Sequence, residues 1–438
     1  MSDIRTQDIA FVREEILDQQ PPPRSQLGVA KWLRENLFSN WFNGLLTIVS
    51  IVVLFMVLSS VLPWVFGGVW DAGSLAECRD ILNERFGNTH YACWAVITER
   101  WQQLIFGFYP ETEYWRAIVA FVLMLVAIMP VLFDNLPRKL LWVTIAFPFL
   151  MVWLVWGGTI WGPLSVAVGF VIGGIAFSII DRRYSSIIAL IAAVLITIVW
   201  WLFIGPSVVE GLNALIPLGE LKRVESRELG GFMICLIIGI SGIALSLPIG
   251  IVLALGRQSD LFIVKMICVG FIEFIRGVPL ITLLFTASLI LNYFLPPNTT
   301  FDLTLRVIIM VTLFASAYMA EVIRGGLAAL PKGQYEAADA LGLDYWKAQR
   351  LVIMPQALKI SIPGIVNTFI GLFKDTTLVM FIGIFDMLAL SNAIRANSEW
   401  NGIYWELFVF IGLIFWVCCF AMSQYSQWLE RKLRTDHR

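Results

Sequence analysis

The chain has 438 residues, of which 58% are hydrophobic and only 14% are charged. Soluble globular proteins carry about 25% charged residues, so this composition excludes an ordinary soluble globule. The formal net charge of −1 also argues against a nucleic-acid partner, which would favour a strongly basic surface.

The apolar runs predict an all-α polytopic membrane protein. The first run begins only at Trp41, which is too late for a cleavable signal peptide, so we interpret it as a retained signal anchor. A helix needs about 20 mostly apolar residues to cross the hydrocarbon core. About ten transmembrane helices are predicted, at residues 42–62, 115–133, 140–157, 162–180, 186–204, 231–255, 278–295, 303–323, 360–381 and 403–422.

The basic residues predict the orientation of these spans. Most of the 31 Lys and Arg residues fall on one side of the membrane if the N-terminus is inside, and positive residues are enriched in cytoplasmic segments. We therefore predict that both termini are cytoplasmic and that the loop 67–114 faces outward.

Two of the six cysteines, Cys78 and Cys93, share this outer loop. They can form a disulfide if the loop faces an oxidising compartment, but spacing alone does not fix the geometry, so both states stay open. No cysteine or histidine spacing typical of a metal site occurs. The remaining cysteines fall in or beside apolar runs, where small buried side chains are expected.

Two charged pairs follow in the second half of the chain. Glu273 and Arg276 are three residues apart, as are Glu321 and Arg324, so each pair can meet on one helix face. Each pair lies beside a predicted cytoplasmic boundary. The simple interpretation is an ion pair that fixes a helix end, and the alternative is a role in gating.

The stretch EAADALGLDYWKAQRLVIMP, residues 336–355, interrupts the apolar chain with five charges. Each charge would cost roughly 2.5–3.5 kcal/mol in lipid, so the stretch is predicted to lie outside the bilayer. Its pattern indicates a helix–turn–helix. The first helix covers 334–341 and Gly342 ends it. Asp344 caps the second, which ends at or before Pro355. The small side chains of the first helix suit docking against another protein, and an ordinary solvated loop is the alternative.

Lys374 and Asp375 fall inside a predicted span. Together they would cost about 5–7 kcal/mol if unpaired at the bilayer centre, and adjacent residues on a helix cannot neutralise each other. Ionisable groups within the membrane mark transport pathways by default. Asp375 can receive a substrate ammonium, or the two can form salt bridges with other helices or subunits. The other polar candidates for a substrate path are Asn367, Thr368, Thr376 and Thr377.

The stretch 336–355 resembles the EAA motif of permease subunits of binding-protein-dependent ABC importers. The family pattern is EAA, three residues, Gly, nine residues, then Ile-x-Leu-Pro. This chain keeps the spacing, with Val352 for Ile and Met354 for Leu. The resemblance implies that this loop couples to the ATPase. The residues that carry this implied role are Glu336, Ala337, Ala338, Gly342 and Pro355.

Three further stretches, residues 271–285, 318–326 and 372–383, resemble the polar amino-acid branch of the same family. That branch usually has Gln where Leu283 stands, so this chain departs from the family pattern at that site. The N-terminal half is similar to that of the large permease subunits of general L-amino-acid importers.

This resemblance implies an inner-membrane permease subunit of a bacterial amino-acid importer. Its expected partners are two ATP-binding subunits that hold ATP and Mg, a second, homologous permease subunit, and a periplasmic amino-acid-binding protein. The chain has no G-x-x-x-x-G-K-[ST] phosphate loop, so ATP hydrolysis is expected on a separate chain. No cofactor, catalytic residue or metal ligand is expected on this one. The alternatives are an ion- or proton-coupled secondary transporter and a membrane scaffold without a substrate.

The predicted domain organisation follows from these assignments. It comprises a cytoplasmic N-terminal segment 1–41, a five-span extension 42–204, an outer linker 205–230, an ABC permease core 231–425 with the cytoplasmic EAA loop 325–358, and a cytoplasmic tail 426–438.

Overall fold

The computed structural model describes residues 28–290 and 302–433, and these residues form a helical protein without β-strands beyond isolated bridges. Parts of the predicted segment 1–41, tail 426–438 and span 278–295 lie outside the described residues. The helices of the first half are α1 Gly28–Asn36, α2 Trp41–Phe66, α3 Leu75–Phe86, α4 Ala95–Phe106, α5 Tyr114–Leu132, α6 Leu141–Trp156, α7 Trp161–Asp181, α8 Ser186–Val199 and α9 Gly205–Leu215.

The second half is also helical throughout the described part. Its helices are α10 Gly231–Gln258, α11 Phe262–Gly277, α12 Leu280–Phe285, α13 Leu303–Ala328, α14 Lys332–Ala340, α15 Tyr345–Ala348, α16 Met354–Asp375, α17 Met387–Ala396 and α18 Trp405–Leu433. Nine of the described helical segments are long and apolar enough to cross a membrane, and one bent pair brings the number to ten. The prediction of an all-α polytopic membrane protein is therefore confirmed.

The described residues divide into two compact units, one within 1–68 and 85–92 and the other within 69–84 and 93–438. The first unit contains α2, an apolar helix that has no buried residue. Asn40 caps it, because the Asn40 side chain accepts a hydrogen bond from the backbone N–H of Asn43 at 2.8 Å. A helix that is apolar on every side is typical of a membrane span.

In the second unit, α5 to α9 form what we call the extension bundle, in which α5 packs on α6 and α7 on α8. A glycine permits the second contact: a Cβ at Gly173 of α7 would collide with the Thr197 side chain of α8. Such small residues let membrane helices approach closely. The outer linker predicted at 205–230 is partly wrong, because its first residues continue the preceding span as α9. Pro206 fits there because a proline is tolerated in the first helical turn.

The helices α10, α13, α16 and α18 form the core bundle. Gly250 of α10 faces α13, where an added Cβ would lie 2.7 Å from the Met319 side chain. Fully buried Met319, Ile323, Ile353 and Ala357 belong to one hydrophobic cluster that joins α13 to α16 and to the segment before it.

The seventh predicted span, 278–295, is replaced by a broken pair of helices. Phe262–Gly277 and Leu280–Ile290 meet at an angle of 104°. Val278 is extended before Pro279, since a proline disfavours the helical conformation of the preceding residue. The apolar segment therefore begins with the helix Phe262–Gly277 and not at residue 278, as the sequence pattern indicated.

The helices of the second unit have two distinct ends. At the cap end lie the loops before α4, the turn between α6 and α7, the linker 216–230 and α17, tied by bridges such as Gly107 to Leu229 and Gly231 to Asp386. At the hairpin end lie the charged stretch and the end of α18. There the Tyr425 hydroxyl donates to the Leu132 carbonyl at 2.7 Å, which joins the core and extension bundles.

Candidate functional site

The charged stretch forms a helical hairpin at the hairpin end. Its first helix, α14, begins after Pro331, because proline cannot continue a preceding helix but can start a new one. Tyr335 packs against the hydrophobic cluster of the core, and burial raises the pKa of its hydroxyl. Gln356 of α16 donates to the Gln334 side chain at 3.0 Å, so the two arms of the hairpin are joined directly.

The alanines of the motif divide between two faces of α14. Ala337 is exposed, together with Glu336, whereas Ala338 is only 1% exposed. Of the small side chains predicted to suit docking, Ala338 therefore packs against its own chain, and its role in coupling to the ATPase stays a prediction. The outward face consists of Glu336, Ala337 and Ala340.

The turn of the hairpin follows the sequence prediction closely. Gly342 has φ +71°, the left-handed region that favours glycine. Asp344 accepts a hydrogen bond from the Lys347 backbone N–H at 2.9 Å and pairs with the Lys347 ammonium at 2.8 Å. Hydrogen bonding from the Lys347 side chain, then from its backbone, lowers the pKa of Asp344.

Large apolar side chains project at the tip of this turn. Leu341 is 77% exposed and Trp346 is 70% exposed, with Tyr345 exposed between them. We call Leu341, Tyr345 and Trp346 the hairpin tip. Exposed aromatic and aliphatic groups in one place are typical of a protein-binding surface.

The second arm of the hairpin runs without a break into the core bundle. A π-type turn at Gln349–Ile353 follows α15, and α16 begins at Met354. The second helix ends at Ala348, before Pro355, as predicted. Pro355 does not stop the helical path, however, because it lies in the first turn of α16, where its missing N–H costs no hydrogen bond. The hairpin and α16 therefore form one connected helical path.

The charged pairs form a larger network than the sequence indicated. Glu321 pairs with Arg324, as predicted from their spacing, and also lies 3.3 Å from Arg257 and 3.7 Å from Arg276. Glu273, however, pairs with Arg257 at 2.8 Å rather than with Arg276. Arg257 approaches from the end of α10, which the spacing along one helix does not reveal. The network joins α10, α11 and α13 at the hairpin end.

The predicted substrate-path residues lie where α16 ends. Asp375 is half-buried and Lys374 is exposed, and neither forms a salt bridge with any other described residue. Nothing lies within 4 Å of a Cβ placed on Gly371, so the face that Gly371 shares with Asp375 is open.

The polar neighbours on this segment differ in accessibility. Thr368 and Thr377 donate their hydroxyls to the carbonyls of Gly364 and Lys374, each at 2.9 Å. Thr376 is buried and donates to the Phe373 carbonyl at 2.7 Å. Asn367 is exposed. Of the predicted path residues, Asn367, Lys374 and Asp375 are therefore the ones whose polar groups remain free for a ligand.

Sequence reasoning missed the buried charged residues near the cap end, among them Asp386 and Arg306. Asp386 is fully buried and caps α17 by accepting from the Ala389 N–H at 2.9 Å. Burial raises its pKa from 3.8 to about 6. Arg306 of α13 donates to the carbonyls of Ala287 at 3.3 Å and Ser288 at 2.9 Å, at the end of the broken pair. An aspartate directly before a helix is a recognisable cap signal, but its burial is visible only in three dimensions.

The cap end is held together covalently. Cys78 and Cys93 form a disulfide, with their Cα atoms 6.2 Å apart, where the sequence left both states open. The Cys93 N–H donates to the Glu406 carboxylate at 2.9 Å, and Arg100 pairs with Glu399 at 2.6 Å. The disulfide loop is thereby attached to the start of α18. Among the described residues no group of three or more His, Cys, Asp or Glu side chains is placed to hold a metal ion.

Comparison with known proteins places these features in context. Residues 246–435 match the family described as binding-protein-dependent transport system inner membrane component. The chain is 56% identical to the glutamate/glutamine/aspartate/asparagine transport system permease protein BztC of Rhodobacter capsulatus, over 98% of this chain and 100% of that protein.

Two further similarities were found. The inner membrane amino-acid ABC transporter permease protein YhdY of Escherichia coli is 41% identical over 96% of this chain and 98% of its own length. A crystal structure of an amino acid ABC transporter with histidines is 29% identical, covering 46% of this chain and 91% of that chain, with a TM-score of 0.42.

Proposed function

The chain belongs to the family of binding-protein-dependent inner-membrane permeases of amino-acid ABC transporters, and on this basis we propose that it imports amino acids by using ATP hydrolysis on separate subunits. In this proposal the hairpin is the contact with the ATP-binding chains, which hold ATP and Mg. A second permease subunit and an extracytoplasmic amino-acid-binding protein complete the importer. The hairpin end, with both termini, then faces the cytoplasm.

The observation that carries this proposal is the division of the hairpin into an exposed face and a buried face. Ala337 and the tip residues Leu341 and Trp346 are exposed, whereas Ile353 and Ala357 are buried in the core cluster. A partner that binds the exposed face can therefore move α16, because the hairpin and α16 form one connected helical path. A merely solvated loop would need neither the apolar tip nor this attachment.

We place the substrate path along the open face of α16. The small Gly371 and the accessible Asp375 and Lys374 provide space and charges of both signs. An α-amino acid carries an ammonium and a carboxylate, so Asp375 suits the first and Lys374 the second. The second permease subunit would cover this face. The extent of the similarity to BztC supports glutamate, glutamine, aspartate and asparagine as the substrate class.

A domain assignment accompanies the proposal. The second half of the chain, α10 to α18 with the core bundle at its centre, carries the transport path, and the extension bundle is an added element. The family match covers 246–435, which supports the core as the part that works with the ATPases. Family membership also favours ATP-driven import over the ion- or proton-coupled secondary transport that the sequence left as an alternative.

Site-specific photo-crosslinking tests the ATPase contact. A photoreactive amino acid at Ala337 should capture a chain that contains a phosphate-binding loop, because this position is exposed on the hairpin. The matched control is the same probe at Ala214, which is exposed at the cap end of α9 and should capture no such chain. Absence of the crosslink at Ala337, with the variant intact in the membrane, would contradict the proposal.

Uptake in sealed vesicles tests the energy source and the path. With the partner subunits present, uptake should follow ATP without any ion gradient. Asp375→Asn should alter uptake or selectivity, since the ammonium partner is lost, whereas Asp302→Asn, which changes an exposed carboxylate outside the proposed path, should not. Unchanged uptake and selectivity in Asp375→Asn would remove this residue from the path.

A further inference from the structure

A cavity in the extension bundle is not used by the transport path. It has a volume of about 590 Å³ and opens at the cap end. Its walls are the α6–α7 turn, the end of α9 and the linker that follows. It lies before residue 246, outside the segment that matches the permease family. The polar lining residues are Thr159, Glu210, Asn213, Glu220, Lys222 and Arg223, and we call this cavity the linker recess.

Charges of both signs line the linker recess without neutralising each other. Glu210, Glu220, Lys222 and Arg223 are all exposed, and none forms a salt bridge within 28–290 and 302–433. The buried side-chain oxygen of Asn213 accepts no hydrogen bond in the same part of the chain. These groups are therefore available to a partner that brings complementary charges.

The wall formed by the linker is fixed in place by the helices beside it. The backbones of Gly158 and Leu221 exchange two hydrogen bonds, of 2.9 and 3.0 Å. The Trp153 indole donates to the Gly219 carbonyl at 2.9 Å. Most notably, fully buried Arg116 donates to the carbonyls of Lys222 at 2.9 Å and Leu154 at 2.6 Å. A surface that is already ordered loses little conformational entropy when it binds.

The exposure of the lining decides which kind of partner fits. A small-molecule site buries most of its ligand and is mainly apolar, whereas the four charged side chains here stay open to solvent. Exposed charges at a protein–protein contact raise the association rate and select the partner. The recess therefore suits a rigid protein protrusion that carries acidic and basic groups, rather than a free amino acid.

We propose that the linker recess is a docking seat for the extracytoplasmic amino-acid-binding protein, so that the extension bundle takes part in recognising it. This inference rests on the proposed function, which places the cap end outside and requires such a protein. The core bundle alone would then still transport, but it would capture the loaded binding protein more slowly.

Association kinetics with the purified binding protein test this docking seat. The complete importer is held in nanodiscs, and the rate constant is measured at low and at physiological salt. Lys222→Glu with Arg223→Glu should lower the association rate constant about tenfold at low salt, with a smaller effect at higher salt because ions screen the charges. Arg227→Glu is the matched control, since Arg227 is exposed on the same linker but outside the recess, and it should stay within about twofold of the parent.

A milder variant and a saturation experiment keep the test decisive. Lys222→Gln with Arg223→Gln keeps polar side chains of similar length and should still slow association by about threefold. Uptake at saturating binding protein should be unchanged, while the concentration for half-maximal uptake rises. Equal rates for the recess variants, Arg227→Glu and the parent would overturn the inference, as would recess-dependent binding of radiolabelled glutamate without the binding protein.

The outcome is separable from that of the proposed function. If the docking seat is absent but the parent chain shows ATP-dependent uptake and the Ala337 crosslink, only the recess inference fails. If the parent chain lacks both, the proposed function itself fails, whatever the recess variants do.

Discussion

At the hairpin end the chain projects an apolar tip of Leu341, Tyr345 and Trp346, whereas at the cap end it encloses a hollow lined by exposed charges. The first surface continues into the core bundle through α16. The second is fixed by a buried arginine and by the backbone bridge between Gly158 and Leu221.

The difference suits two different tasks. Apolar packing around a few large side chains lowers the dissociation rate of a lasting contact, which fits a permanent motor subunit. Exposed charges accelerate the encounter with a soluble protein that must arrive and leave. The same chain therefore presents a surface suited to lasting binding of a subunit at one end, and a surface suited to rapid, reversible binding of a soluble protein at the other.

Reversing the chemistry of the hairpin tip should produce the largest effect. Leu341→Glu with Trp346→Glu places charges where an apolar anchor is expected, and each central anchor is worth about 2 kcal/mol or more. We expect loss of most co-purifying ATPase and at least tenfold slower uptake. Leu341→Met with Trp346→Phe keeps the apolar character and should retain both. Normal ATPase recovery in the double glutamate variant would refute the assignment of the tip.

Removal of the buried arginine should loosen the cap end while leaving the hairpin intact. Arg116→Met leaves the Leu154 and Lys222 carbonyls and Glu113 without their cation, and breaking a buried pair costs about 3–5 kcal/mol. Thermal unfolding in detergent should show a lower Tm. Arg138→Met, at an exposed position, is the control, and an equal loss in both variants would argue against the special role of Arg116.

Loss of the disulfide should have a somewhat smaller effect. The two cysteines are 15 residues apart, and closing a loop of this length stabilises by about 3 kcal/mol in the chain-entropy description, often less in practice. Cys78→Ser with Cys93→Ser should lower the Tm, and a reducing agent should do the same to the parent protein. The free cysteines offer a matched control, because Cys418→Ser with Cys419→Ser should not reproduce this loss.

The smallest effect is expected from Asp386 and depends on pH. Its pKa rises from 3.8 to about 6 in the folded chain, so its contribution to stability is fully present below pH 3.8 and is lost as pH rises through about 6. Asp386→Asn keeps a good helix cap without the buried charge. It should therefore be more stable than the parent at pH 7.5, by at most about 2–3 kcal/mol, and equal to it at pH 4.

The control for this pH dependence is a second helix-capping aspartate. Asp302 accepts from the Leu305 N–H at 3.0 Å but is exposed to solvent, so Asp302→Asn should give no gain that grows with pH. If Asp386→Asn lowers stability at pH 7.5, the carboxylate must have a favourable interaction whose free energy exceeds the cost of burying its charge. That result would contradict the prediction.

Much of this architecture could be predicted from hydropathy and turn chemistry. The number of spans, the left-handed Gly342 and the Asp344 cap depend on local sequence, and the structure has all of them. The prolines were harder to interpret, because Pro279 breaks a helix while Pro355 starts one. A proline ring is compatible with the end of one helix and with the start of another, and tertiary packing decides which of the two occurs.

Contacts between distant segments could not be predicted. Glu273 has two arginines within reach, and only the approach of α10 shows that Arg257 is its partner. Ala337 is exposed and the adjacent Ala338 is buried. Contacts with the core set the orientation of this helix, and the sequence does not show them. The linker recess joins residues more than 50 positions apart, and no periodicity along the chain indicates it.

The continuity between the hairpin and α16 has a geometric consequence for the size of a transport stroke. The 22 residues of Met354–Asp375 span about 33 Å at 1.5 Å per residue. If this rod pivots at its hairpin end, a tilt of about 5° shifts Asp375 by roughly 3 Å, about the width of a water molecule. Pro363, midway along the rod, removes one backbone hydrogen bond and so marks the point where bending is easiest.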